Sequence, residues 1–130
     1  MGFASGGSGG GGSDGEIIVA GPWSKSGVLS TGTGTIHWIN NTGYTLTFVE
    51  ATAHVDTAPT GADIIVDINK EGSTIFDATK VVIAATENDG SSTDFLVATI
   101  ADGETITADI DQVGSTVAGE DLTIELLCSF

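Results

Sequence analysis

TITADID (residues 105–111) and LTIELLC (residues 122–128) carry Ile106, Ala108 and Ile110, and then Leu122, Ile124, Leu126 and Cys128, at every second position. Successive side chains of a strand point to opposite faces, so this spacing predicts two strands, each with a dry face and a wet face. Working outward, Ile64, Val66 and Ile68 repeat the pattern beside Asp67 and Asn69, with Ile65 interrupting the polar side. Asn69-Lys70-Glu71-Gly72 then predicts a hairpin turn into Ser73–Phe76, and Asn40-Asn41-Thr42-Gly43 predicts another between Thr35–Ile39 and Tyr44–Val49. After Phe48 the apolar parity changes to Val49, Ala51, Ala53 and Val55, which predicts either a bulge near Glu50 or a crossing between sheets.

Further runs complete the pattern. Ile17–Val19 forms a short run closed by Gly21-Pro22, Val81–Ile83 a second, and Phe95–Ile100 a third, with Glu87–Ser92 read as a loop. About eight short antiparallel strands with no helical period predict an all-β domain, a jelly-roll-like β-sandwich. Thr60–Ile68 echoes Ala118–Leu126: each is a glycine turn, an acid and an alternating strand. The echo fits a duplicated half, as in two Greek keys, and equally two strands that share turn chemistry.

Organisation follows composition. The chain has 130 residues, too few for more than one core. Residues 1–15, MGFASGGSGGGGSDG, predict a flexible glycine-rich arm, and residues 16–130 the β-sandwich domain. Eighteen acidic residues against three basic ones give a net charge of −15, which opposes nucleic-acid and membrane-surface binding. Met1–Gly15 lacks the basic and apolar regions of a secretory signal, and the chain is expected to stay in the cytoplasm where it is made. The sequon Asn40-Asn41-Thr42 therefore reads as a turn. A single cysteine excludes an intrachain disulfide.

Chemistry-bearing motifs are few. Gly6-Gly7-Ser8-Gly9-Gly10 and Gly7–Gly12 match the nucleophile-elbow and dinucleotide patterns in composition alone, without the flanking strand and helix that either needs. His37 and His54, the two histidines, could meet across a hairpin, but each reads more simply as a surface residue. Cys128 has inward parity and reads as a small buried hydrophobe. Asp109 with Asp111, and Asp63 with Asp67, share faces and read as solvated carboxylates; Asn88-Asp89-Gly90 with Asp94 is the one loop whose oxygens could suit calcium. Paired acids for glycoside hydrolysis lack convergent tyrosine, arginine or tryptophan partners. Trp23, Trp38 and Tyr44 could stack on sugars, although packing accounts for them better. The expectation is no enzyme, with no catalytic, cofactor-binding or metal residues and no cofactor.

Thr57–Ala62 followed by IIVDINKEGSTIF, Ala101-Asp102-Gly103 followed by ETITADIDQVGSTVAGEDLTIEL, and Gly32–Thr35 upstream together resemble a β-sandwich domain of tailed-bacteriophage structural proteins. The resemblance runs from about Gly32 to Leu126 and is carried above all by Asp109–Gly114 and Pro59-Thr60-Gly61. Such domains occur in tail fibres, baseplates and small virion proteins, and they are scaffolds, so no site residue transfers. With its short arm and acidic surface, the chain looks most like a capsid decoration, or cement, protein. That likeness implies a virion location on the outer capsid surface, the major capsid protein as partner and a homotrimer. The alternative it implies is a tail or head-fibre component that contacts a host receptor or glycan.

Overall fold

The computed structural model describes residues 17–130, apart from the side chains of Thr35 and Ile36; the arm at 1–15 and its glycine motifs lie outside the described residues. Two antiparallel sheets face each other. Sheet A runs β1 (Ile17–Val28), β10 (Glu120–Ser129), β3 (Leu46–Thr57) and β7 (Asp89–Ser92), with β8 (Thr99–Ile100) also on β3. Sheet B runs β2 (Gly32–Ile39), β9 (Thr105–Gln112), β4 (Ile64–Lys70) and β5 (Ser73–Thr74), with β6 (Val81–Ile83) also on β4. The pairing is nested: β1 with β10, β2 with β9, β3 with β7 and β8, β4 with β5 and β6. A long hairpin wound across two sheets has this order, which is the jelly-roll form of a sandwich.

The core follows the period-two pattern. Ile64, Val66 and Ile68, Ile106, Ala108 and Ile110, and Leu122, Ile124, Leu126 and Cys128 are all buried between the sheets. They share one interior, with Phe76 and Leu46 among its largest members. A slip by one residue in any of these strands would turn its apolar set to water, so the alternation pins the register. The parity change in β3 is a bulge: Leu127 faces Glu50 and Cys128 faces Phe48, which leaves Val49 as the extra residue. The turn at Glu71-Gly72 is a hairpin with φ of 49° and 88° at its two central residues, the type I′ geometry that matches strand twist.

Four local expectations are corrected. Asn40–Gly43 does not close a hairpin, because β2 and β3 belong to different sheets. Asn40 is instead the buried pin of an arch between sheets: its side-chain amide donates to the Tyr44 and Ile100 carbonyls, and its Oδ1 accepts from Thr42. The expected run at Ile17–Val19 continues to Val28, with a bulge between Ala20 and Trp23 that carries the strand past Gly21-Pro22. Asp89–Ser92 is a strand and not a loop, held by backbone pairing to β3 in spite of its polar side chains. Phe95–Val97 lies outside any strand, leaving Thr99–Ile100 as the strand of that run.

The two echoed segments start at the same pole. Thr60 bridges Val117, the Val117 carbonyl accepts from Thr60, and each segment turns on a glycine with positive φ, Gly61 and Gly119. A Cβ on Gly61 would overlap Ser115 and Thr116, so the pole closes only around glycine.

Candidate functional site

Carboxylates gather on the outer face of sheet B. The β4–β9 register sets Asp67 directly opposite Asp109, and Asp111 follows on the same face. Oxygens of all three approach within 4.8 Å of one another. Like charges placed opposite each other destabilise a sheet unless something offsets them. Here Lys80, from the segment between β5 and β6, lies 2.7 Å from Asp111 and 3.3 Å from Asp67. The Thr74 hydroxyl donates to Asp67, while Asn69 Nδ2 and the Gly34 amide donate to Asp109. The bond to Asp111, helped by Asp67, raises the Lys80 pKa above 10.5, so its ammonium persists through neutral pH. Asp67 is only 6% exposed, which corrects its reading as a solvated face residue. Asp63, expected beside Asp67, instead accepts from the Ala85 amide.

On the outer face of sheet A, His54 lies opposite Asp89 in the β3–β7 register. Its Nδ1 is 2.6 Å from Asp89 and its Nε2 is 3.4 Å from Asp56. The bond to Asp89 raises its pKa above 6.5, with both carboxylates adding attraction against some desolvation. Glu50, Thr52, Ser91, Thr123 and Glu125 surround it in an open depression. Both ring nitrogens therefore face carboxylates, which favour the protonated ring. His37 is exposed on β2 in the other sheet, so the two histidines do not form a metal pair.

The remaining sequence candidates disperse. Asn88 donates to the Val55 and Asp56 carbonyls, Asp89 goes to His54, and Asp94 caps the Ala78 and Thr79 amides, so the calcium-like loop does not converge. Trp23 is buried, Trp38 packs against the core, and Tyr44 packs at a tilt against Phe130 with ring centroids 4.6 Å apart. The three therefore form no common stacking platform. Burial pushes the Cys128 thiol up to about 12, which leaves it unreactive at neutral pH.

One feature escaped motif reasoning because it is a lack of residues. Between Ile17 and Val49 the chain has no Asp or Glu, although it has 18 elsewhere. The fold places this stretch in β1 and β2, the neighbouring edge strands of the two sheets, and in the start of β3. Both faces of the sandwich therefore bear carboxylates, while one edge bears none of its own. Comparison with known protein families, with curated proteins and with solved structures finds no match.

Proposed function

We propose that this protein is a structural component of a bacteriophage virion, a capsid decoration protein that braces the outer capsid surface through contacts with the major capsid protein. The observation that carries this reading is the division of the jelly roll into acidic faces and an edge that has no acids of its own and carries Lys25. Carboxylates that are solvated or paired internally keep a particle soluble and repel DNA. The acid-free edge leaves a contact surface with exposed apolar side chains such as Ile17, Val19 and Val28. Support also comes from the segments that resemble phage structural domains, which fall at the start of β2 and on β4, β5, β9 and β10. His54 shares a depression with Ser91, but its ring nitrogens face Asp89 and Asp56, an arrangement that supports a structural role for this face.

The test is co-sedimentation with empty shells assembled from the major capsid protein of the same phage. Purified full-length protein should bind the shells and raise their resistance to heat. Deleting residues 2–15 should leave the domain's own unfolding midpoint unchanged and weaken shell binding. Binding to host cells or glycans, with none to shells, would transfer the reading to a tail or head fibre.

A further inference from the structure

The outer faces of the two sheets treat their carboxylates differently. On sheet B, Lys80 stands between Asp67 and Asp111, so the acids there have a cation of their own. Sheet A has an open depression of about 500 Å³ whose lining includes Glu50, Glu125 and Asp89 and no lysine. Its one basic group, His54, is taken up by Asp89 and Asp56. The Glu50 and Glu125 carboxylates bond to no described residue. Register fixes their placement: Glu125 lies opposite Thr52 and Glu50 opposite Leu127, which makes the two glutamates a diagonal pair. Side chains so placed are about 7–8 Å apart. Thr52 adjoins both, with Ser91 opposite it, and these hydroxyls are likewise without a partner among the described residues.

The chemistry of this lining selects its occupant. Two free carboxylates beside acceptor hydroxyls repel anions and suit ammonium or guanidinium groups, which carry donors alone. No aromatic ring lines the depression, so a sugar finds no face to stack on. Spacing narrows the choice further. Alternate side chains of an extended chain stand about 6.6–6.8 Å apart on one face, close to the separation of the diagonal pair. We propose that the depression on sheet A receives an extended segment of a partner protein with lysine or arginine at positions i and i+2, one against Glu50 and the other against Glu125. This goes beyond the capsid reading and does not depend on it, since any protein with such a segment would fit.

Proton NMR of the His54 ring in the full chain tests it, with two capped pentapeptides as probes, TKTKT and its isomer KKTTT. The charged groups around that ring are Glu50 and Asp56 from β3, Asp89 from β7 and Glu125 from β10. Bound ammonium groups oppose the imidazolium, so TKTKT should move the His54 titration to lower pH and leave that of His37, on the other sheet, in place. KKTTT carries the same charge, but its lysines point to opposite faces when extended. It should bind more weakly by up to about fivefold, the worth of one exposed ion pair. Glu50→Gln and Glu125→Gln should each weaken TKTKT by a similar factor. Asp77→Asn, which removes a charge from a loop outside the depression, should not. Equal binding of the two peptides, or an equal loss in Asp77→Asn, means that net charge alone attracts them and overturns the proposal. So does a His54 titration that TKTKT leaves unmoved, or that calcium chloride at the same concentration moves as far. Should a glutamine variant lose strand content, the comparison of the two peptides on the native chain decides.

Discussion

Lys80 and His54 each stand between two aspartates on an outer sheet face, yet the two arrangements do different work. Lys80 has Asp67, a carboxylate almost removed from water, and Asp111, and a third, Asp109, lies close by. His54 has Asp89 and Asp56, both well exposed. Taking a carboxylate out of water makes its counterion a structural requirement, whereas exposed pairs add little. The lysine, with its pKa raised above 10.5, stays charged throughout the neutral range. The histidine is charged only part of the time.

The largest effect should come from removing the lysine. Lys80→Met leaves three neighbouring carboxylates without their cation, and it should destabilise the domain by roughly 1–3 kcal/mol, a buried-pair cost reduced for the lysine's partial exposure. Urea unfolding measures it, and Asp67→Asn in the same chain should recover part of the loss. Failure of that rescue would mean that Lys80 acts through packing alone.

Metal dependence should separate the same two chains. Native protein should keep its thermal midpoint in chelator, because the ammonium already supplies the positive charge that the acids need. In Lys80→Met the three carboxylates should take calcium weakly, raising the midpoint by a few degrees. A calcium response of equal size in the native chain would show that the lysine does not complete the cluster.

The smallest effect belongs to His54. Because its folded pKa is raised, its contribution is fully present below the ordinary value of 6.5 and is lost as pH rises through the folded value. The difference in midpoint between native protein and His54→Gln should therefore be greatest in mild acid and vanish at alkaline pH. The equivalent loss for Lys80 begins only above 10.5. Salt should diminish the His54 difference more than that of Lys80→Met.

Much of this was readable before the fold. The interior was legible because side-chain alternation in strands such as Ile106–Ile110 is local, as was the Glu71-Gly72 turn. The parity change after Phe48 was legible too, but it left a bulge near Glu50 and a crossing between sheets equally open until the pairing at Val49 decided. The arch at Asn40 was not, since a turn-forming sequence states that the chain bends and not which strand it joins. β7 escaped because Asp-Gly-Ser-Ser pairs through its backbone and has no apolar signal. Asp67 was misjudged for the same reason as the arch: its neighbours Asp109 and Lys80 are set by strand pairing and by a crossing segment distant in the chain. The acid-free stretch was visible in the charge pattern throughout.

Nested pairing also governs the order in which the domain can come into being. In sheet A, β10 lies between β1 and β3, so the sheet has a gap at its middle until residues 120–129 have left the ribosome. Until then β1 and β3 each hold out a twelve-residue strand with no companion on that side. Contacts this distant in the chain form late and slowly, and the unfilled slot accepts any extended apolar segment that arrives first. Crowded synthesis of many copies would thus favour exchange of β10 between chains, and prompt docking of residues 120–129 into their own slot is the condition under which each chain closes on itself.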